Sequence, residues 1–466
     1  MDFKLKIGLI PERRDVANAK TRTGAFRASS AIENKEKVLK YIKENFADEK
    51  TEFVDLEWLN DEGLLFDAND VDKVKDEFIR QGVDAIFIIN CNFGNEEAAG
   101  QIAYKLQLPT LLWGPQDMEF PEDGTRYTDA QCGLFAISNQ LRRLRVPFSY
   151  IENCPVEADV FAAGLKKFLS VACMVKTFKN LHITQVGTRL NAFKSVMSNE
   201  LELTEKFGIN ISTVNLIVFE QKVNRILEEK AEQLKADVAA IKGKMDTAGN
   251  DDAALTNMLA FVYAYKEIFA DTKADVLTTE CWSALPLAFG VTPCLAMSLL
   301  ADEGYMVVCE SDICGAITQA ILAAATRGEG KPLFGEFTVR NPINPNSELL
   351  WHCGPFPYSM KKDGETASIP GGRLAFRAKD GEYTLARFQG DRGNYTLLGG
   401  EFKTTDGPKT GGTYIWGEFP NWPKLERKLI DGPYIHHMSE LYGNYEDELR
   451  EFCKYVPELS FDGIDE

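Results

Sequence analysis

The sequence predicts an α/β protein with two Rossmann-like, doubly wound parallel-sheet domains and a C-terminal antiparallel, barrel-like β domain. Strand-like and helix-like segments alternate through residues 1–160, and the alternation starts again near Leu181. Alternation of this kind indicates βαβ units and a parallel sheet. Around Asn341 the chain becomes rich in Gly and Pro, with Thr/Tyr-containing strand patterns typical of antiparallel sheets or small barrels. The expected domains are 1–170, 171–340 and 341–466.

The first domain alternates strands and helices in a regular order. Strands are predicted at 6–10, 51–56, 85–89 and 110–113, and helices at 30–45, 71–81 and 96–106. Gly82 follows the second helix at the position of a C-cap. Residues 85–89 are apolar throughout, which is typical of a strand covered on both faces. The first domain is therefore expected to be doubly wound.

A second cycle of the same kind follows. Strands are predicted at 182–187, 209–218, 276–278 and 306–309, with a helix running through Leu203 and Phe207. Residues 220–270 are charged and favour helix, with a break at 247–251. This second cycle forms the expected central domain, which carries the candidate carboxylates.

Composition limits the kinds of partner. The 466 residues include 70 acidic and 52 basic side chains, a net charge of −18, so nucleic acid and anionic membrane are not expected partners. The apolar stretch 283–300 contains Pro286 and Pro293, which argue against a membrane helix. The ten cysteines form no CxxC motif, and the first residues lack a signal-peptide pattern. We expect reduced thiols and a cytoplasmic protein.

Histidine is scarce and concentrated near the C-terminus. Of four histidines, His352, His436 and His437 fall in the last quarter of the chain. The adjacent pair follows a Gly-Pro turn signal, where it could lie on the surface or serve a metal or catalytic site. Cys353, next to His352, is interpreted as a packing residue.

Two carboxylates, Glu310 and Glu336, occupy positions typical of ligand-binding or catalytic sites. Glu310 ends an apolar strand, and the carboxyl ends of parallel strands line ligand crevices. Glu336 interrupts an apolar segment, where burial is costly unless the group is paired or binds metal. Solvated strand-end carboxylates are the alternative for each. Together with one or two imidazoles, they would suit Mn²⁺ or a similar divalent cation.

Other motifs carry less information. The sequence contains no GxGxxG, GxxxxGK[ST], GxSxG or HExxH pattern. Four tryptophans could stack on a sugar ring or belong to the core: Trp282, Trp351, Trp416 and Trp422.

The C-terminal half resembles the L-fucose/L-arabinose isomerase superfamily, and most closely its fucose-isomerase-like branch of unassigned substrate. The segments that carry the resemblance are ECWSALP at 280–286, ADEG at 301–304, CESD at 309–312, FGEF at 334–337, WHCG at 351–354 and IHH at 435–437. The order Glu, Glu, His, His-His, with steps of 26, 16 and 84 residues from Glu310, is more specific than any single segment.

The resemblance implies an aldose–ketose isomerase that uses Mn²⁺ and a small sugar substrate. Glu310, Glu336, His352 and either His436 or His437 would hold the ion. The two glutamates would shuttle protons through an enediol, without a redox cofactor. The resemblance also implies a homo-oligomer, either a trimer or a hexamer.

Some residues depart from the fucose isomerase pattern and leave the substrate open. Glu336 stands where fucose isomerases use Asp, and His352 is present, as in arabinose isomerases. Glu280 replaces a Gln, so it could contact a sugar hydroxyl or discourage an anionic substrate. Glu280 and the neighbouring Trp282 are the expected substrate-binding residues. A metal-dependent epimerase and a catalytically silent sugar-binding protein remain the alternatives.

Overall fold

The computed structural model describes residues 1–14, 26–118, 120, 122 and 124–466. The chain forms two compact units, residues 2–176 and residues 177–466 together with Met1. Within the described ranges, no helix has both the length and the apolar character needed to cross a membrane.

The N-terminal unit is built on a parallel sheet with strand order β2-β1-β3-β4-β5. Its strands are β1 (Leu5–Glu12), β2 (Thr51–Val54), β3 (Ala85–Asn90), β4 (Thr110–Trp113) and β5 (Ser149–Tyr150). Its helices are α1 (Ala28–Phe46), α2 (Val71–Gln81), α3 (Glu96–Leu106), α4 (Ala130–Arg143) and α5 (Asp159–Lys179), the last of which runs on into the second unit. Every residue of β3 is buried, and Gly82 caps α2 with φ 68°, as the sequence predicts.

A second parallel sheet, of order β7-β6-β8-β9, begins the other unit. Its strands are β6 (His182–Val186), β7 (Asn210–Val214), β8 (Val276–Thr279) and β9 (Met306–Cys309). Its helices are α6 (Glu200–Phe207), α7 (Leu216–Glu229), α8 (Ala231–Lys244), α9 (Asp252–Thr272), α10 (Ala284–Phe289), α11 (Cys294–Asp302) and α12 (Ile313–Ala325). The predicted strand 209–218 is too long: the Asn215 side chain accepts a hydrogen bond from the backbone N–H of Ile217 and starts α7 there.

The remaining strands form a closed, mainly antiparallel barrel. They are β10 (Leu333–Arg340), β11 (Ser347–His352), β12 (Phe376–Arg377), β13 (Glu382–Asp391), β14 (Asn394–Thr404), β15 (Thr413–Glu418), β16 (His437–Tyr442) and β17 (Leu459–Gly463). Helices α13 (Trp422–Asp431) and α14 (Glu446–Cys453) accompany them. The ring β15-β11-β10-β16-β13-β14 closes through β14–β15 pairing, while β12 and β17 add parallel pairs.

These sheets confirm the predicted fold class. Barrel strand β10 begins at Leu333, before the domain boundary predicted at residue 340. Helix α12 follows β9 and packs against β13 and β16, so the carboxyl end of β9 lies beside the barrel.

Candidate active site

Glu310 lies in a strained turn between β9 and α12. Glu310 and Ser311 have φ values of 65° and 57°, both in the left-handed region that non-glycine residues avoid. The cost is about 1–2 kcal/mol per residue. Asp312 then caps α12 by accepting a hydrogen bond from the Gly315 backbone N–H at 2.9 Å. Backbone strain of this kind concentrates at functional sites, here at the carboxyl end of a parallel strand.

The barrel supplies the other candidate ligands through strand register. Glu336 on β10 pairs directly with His437 on β16 and, on its other side, with Trp351 on β11. His352 is the last residue of β11. Both His352 and His437 are buried, at 1% and 0% exposure. Antiparallel pairing therefore gathers residues that are far apart in the sequence onto neighbouring strand positions.

The donor atoms of these side chains converge. His437 Nε2 lies 2.9 Å from Glu310 Oε2 and 3.9 Å from Glu336 Oε2. Glu310, His352 and His437 each offer one atom within 4.8 Å of the others. Among the described residues, Glu310 Oε2, His352 Nε2 and His437 Nε2 have no partner with hydrogen-bond geometry. Buried polar atoms are normally satisfied, so this arrangement fits a cation held between carboxylate oxygens and imidazole nitrogens.

A buried ion pair orients His437. Asp312 Oδ2 lies 3.0 Å from His437 Nδ1, and Arg387 Nη1 donates to the same oxygen at 2.5 Å. Although burial raises the pKa of Asp312, the charge of Arg387 and the hydrogen bond with His437 bring it well below the usual range. An ionised Asp312 only accepts, so the proton of His437 is held on Nδ1 and Nε2 faces the glutamates.

The two adjacent histidines have different surroundings. His436 is 43% exposed, and its Nε2 lies 3.4 Å from Glu336 Oε2. Burial and the charge of His437 lower the pKa of His436 to about 4. For His437, burial lowers the pKa, but the adjacent carboxylates of Asp312 and Glu310 outweigh burial and raise it. Both histidines are near Glu336, and His437 is the one grouped with Glu310 and His352.

The predicted substrate-binding residues lie on the loop after β8. Trp282 Nε1 donates a hydrogen bond to Glu310 Oε1 at 3.1 Å, and 48% of Trp282 is exposed. Phe193 packs edge-on against Trp282, with 5.7 Å between ring centroids, and also against His437. Glu280 instead accepts from the Thr188 backbone N–H at 3.4 Å and from the Ser283 hydroxyl. Trp282 is thus tied to a candidate ligand, whereas Glu280 bonds to the adjoining loop.

Thiols adjoin the other face of His352. Cys353 Sγ lies 3.3 Å from His352 Nδ1 and 3.3 Å from Cys294 Sγ. Cys309 Sγ lies 3.5 Å from the Met297 sulfur. Hydrogen bonds from the Cys294 and Cys309 thiols lower the pKa of Cys353 well below its usual range. The cysteines of the described residues are all free.

Sequence reasoning missed three residues of this site. Arg387, on β13, is 75 residues from Asp312 and carries no motif. Phe193 precedes a short 3-10 turn far from the recognised segments. Asp312 falls within the CESD segment, two residues after Glu310. An acid at the start of a helix indicates a helix cap, but it does not indicate a hydrogen bond to a distant histidine.

Comparisons with known proteins point to the same superfamily as the sequence motifs. Residues 18–179 match the family described as the N-terminal domain of fucose/sulfoquinovose isomerase. A sulfoquinovose isomerase of Alkalicoccus urumqiensis is 26% identical over 379 residues, which cover 79% of this chain and 83% of that protein. Sulfoquinovose isomerases of Priestia megaterium (strain ATCC 12872 / QMB1551) and Clostridium sp. (strain MSTE9) are 24% and 25% identical. These matches cover 80% and 78% of this chain, and 84% and 83% of the relatives. These matches confirm the predicted resemblance to the fucose isomerase-like superfamily and support an aldose–ketose sugar isomerase.

Proposed function

We propose that this sugar isomerase depends on a divalent cation, Mn²⁺ or a similar ion, held by Glu310, Glu336, His352 and His437. The observation that carries the proposal is the convergence of buried carboxylate and imidazole atoms that lack hydrogen-bond partners among the described residues. Oxygen and nitrogen donors of this kind suit Mn²⁺. When bound, such an ion supplies a Lewis acid that polarises the sugar carbonyl.

The two glutamates are the proposed proton shuttles. Converting an aldose to a ketose moves one proton from C2 to C1 and another from O2 to O1, so no electron acceptor is needed. Burial raises the pKa of Glu336, whereas Glu310 accepts a hydrogen bond from Trp282. Carboxylates in unlike surroundings are suited to opposite acid and base roles. We infer that the reaction passes through an enediol, with one glutamate serving the carbons and the other the oxygens.

Sulfoquinovose, a sugar sulfonate, is the first substrate to test. The relatives named for that sugar align with 78–80% of this chain. A neutral aldose is the second candidate, favoured by the negative charge of Glu280 on the loop that also carries Trp282. A protein that selects the sulfonate must offset that charge. We also propose the homo-oligomer that the resemblance implies, which light scattering of the full chain would measure.

Proton exchange tests this proposal directly. The Mn²⁺-loaded protein is incubated in D₂O with sulfoquinovose and with a panel of neutral aldoses, and NMR follows deuterium at C1 and C2. We expect ketose carrying deuterium at C1 from one substrate class. E310Q and E336Q should lose this exchange, while E205Q, at an exposed position of α6, should retain it. Exchange without ketose would indicate an epimerase, and bound metal without any exchange would favour a binding protein.

Glu280 offers a matched test of specificity. If the enzyme prefers a neutral sugar, E280Q should improve turnover of the sulfonate relative to the neutral aldose. If it prefers the sulfonate, E280Q should leave that preference unchanged or increase it. A loss of activity on both classes would instead indicate that Glu280 contacts a sugar hydroxyl.

A further inference from the structure

Two pairs of neighbouring residues connect the carboxylate site with a group of thiols. Cys309 precedes Glu310, and Cys353 follows His352. Glu310 and His352 belong to the carboxylate site described above. Cys309, His352 and Cys353 form a second set, in which one atom of each residue lies within 4.8 Å of the others. His352 is therefore common to both sets.

The second set has the donor chemistry of a soft metal ion. Two sulfurs and an imidazole are typical ligands of Zn²⁺, which takes four ligands at about 2.3 Å for sulfur and about 2.0–2.1 Å for nitrogen. Cys353 Sγ and His352 Nδ1 are 3.3 Å apart, a separation that one such ion can bridge. Without metal, Nδ1 accepts a hydrogen bond from the Cys353 backbone N–H at 2.9 Å, which the ion would replace. Cys294 Sγ, 3.3 Å from Cys353 Sγ, adds a third sulfur at the edge of the set. Thiolates select Zn²⁺ and related soft ions, whereas carboxylates suit Mn²⁺.

Burial favours a site over a chance surface cluster. Cys309 is fully buried, His352 is 1% exposed, and Cys353 is partly buried. Cys309 and His352 end strands that are fixed by pairing, β9 in a parallel sheet and β11 in the barrel, and Cys353 directly follows β11. Metal sites need donors held in place before the ion arrives, and this arrangement provides them.

We propose that Cys309, Cys353 and His352 Nδ1 form a second metal site, for a soft divalent cation such as Zn²⁺ or Cd²⁺, that shares His352 with the carboxylate site. A neutral imidazole that binds metal through Nδ1 carries its proton on Nε2, so His352 serves one ion at a time. A soft cation at the thiols therefore weakens binding of the hard cation at the glutamates. The thiolate site stands without the proposed function, but this competition rests on it.

Cadmium titration tests the thiolate site alone. Metal-free, fully reduced protein is titrated with Cd²⁺ while the ultraviolet charge-transfer band of cadmium–thiolate bonds is recorded. We expect the band to saturate near one equivalent. C309S and C353S should lose most of it, whereas E336Q and C132S, at an exposed thiol of α4, should retain it. A wild-type protein without the band, or a band unchanged in C353S, would overturn the thiolate site.

A second measurement tests the sharing of His352. Free Mn²⁺ is measured by electron spin resonance with and without one equivalent of Cd²⁺. The apparent Kd for Mn²⁺ should rise at least about tenfold in the wild type, the scale on which disturbed ligands weaken metal sites. C353S should bind Mn²⁺ whether or not Cd²⁺ is present, which also shows that the variant is folded. An unchanged Kd in the wild type, with the cadmium band formed, would refute the sharing. A cadmium band in a protein that never binds Mn²⁺ would support the thiolate site and refute the proposed function.

Discussion

Asp312 and His437 form a fully buried contact, with 3.0 Å between the carboxylate Oδ2 and the imidazole Nδ1. The same carboxylate caps α12 and pairs with Arg387. One side chain thus joins the helix after β9 to strands β13 and β16 of the barrel. Because a ligand histidine is oriented by the partner of its other nitrogen, Asp312 sets the direction in which His437 Nε2 points.

The variant D312N tests this positioning role. The amide removes the negative charge and can present an N–H₂ group to His437, so the proton on Nδ1 is no longer favoured. We expect Mn²⁺ affinity, measured by calorimetry, to fall about 10- to 100-fold. D391N, at the exposed end of β13, is the matched control and should bind Mn²⁺ like the wild type. Equal affinities for D312N and the wild type would show that Asp312 serves only as a helix cap.

Arg387 provides a separate test through stability. Its guanidinium is 1% exposed and its partner Asp312 is 0% exposed, so R387M leaves the buried charge of Asp312 without its cationic partner. Breaking a buried pair in this way costs about 3–5 kcal/mol of unfolding free energy. The double variant D312N/R387M removes both charges and should be less destabilised than R387M alone. Urea unfolding of the metal-free proteins measures the difference, and an equally unstable double variant would contradict the argument.

The pH dependence of the R387M effect has a definite sign. The folded-state pKa of Asp312 is lowered, so its contribution is present above the unfolded value of about 3.9 and is lost as pH falls toward the folded value. The stability gap between wild type and R387M should therefore be widest near neutral pH and narrow below about pH 4. A gap that stays constant or widens on acidification would show that Arg387 acts through packing alone.

Site residues can be predicted from the sequence when they stand out from their immediate neighbours. Carboxylates and imidazoles stand out in apolar segments because their burial is costly unless they are paired or bind a metal. This applies to Glu310, Glu336, His352 and the two adjacent histidines. Arg387 leaves no such pattern, since its partner is supplied by barrel closure and not by neighbouring residues. The contact between Cys353 and His352 Nδ1 also depends on the end of β11, which sequence spacing does not describe.

The fold, too, can be predicted only where an element has a clear local sequence pattern. Parallel strands such as β3 are recognisable because burial on both faces demands an uninterrupted apolar run. The end of β7 cannot be recognised in this way. Residues 216–218, Leu-Ile-Val, suit a strand by composition but are helical in the structure. The Asn215 cap decides between these states, and a single cap is a weak signal beside an apolar run with two β-branched residues.

Trp282 is expected to contribute to catalysis through its hydrogen bond to Glu310. Its indole Nε1 donates to Glu310 Oε1 at 3.1 Å, and its ring packs against Phe193. W282F keeps an aromatic ring and removes the donor. A hydrogen bond to a charged acceptor contributes about 1.5–3 kcal/mol, so kcat/KM should fall about 10- to 150-fold. W58F, at an exposed tryptophan of the N-terminal unit, should leave kcat/KM unchanged. A W282F enzyme with wild-type kcat/KM would show that the Trp282 hydrogen bond does not contribute to catalysis.

Glu440 on β16 should make stability fall as pH rises. It is fully buried, neither of its carboxylate oxygens has a hydrogen-bond partner among the described residues, and burial raises its pKa well above the usual range. An acid with a raised folded pKa stabilises the fold below its unfolded pKa of about 4.3, and this stability is lost as pH rises toward the folded value.

E440Q removes this titration while keeping the shape of the side chain. Between about pH 5 and 7, wild-type stability should decline relative to E440Q by up to about 1.4 kcal/mol per pH unit, the free energy of one proton bound in the folded state alone. The amide introduces a buried N–H₂ group that shifts the absolute stability, so the slope of the difference against pH is the quantity to compare. Urea unfolding at several pH values supplies it. E382Q, at an exposed glutamate of β13, should give no such slope. Parallel pH profiles for the wild type and E440Q would mean that Glu440 is ionised in the folded protein and has a partner, such as a bound cation, in solution.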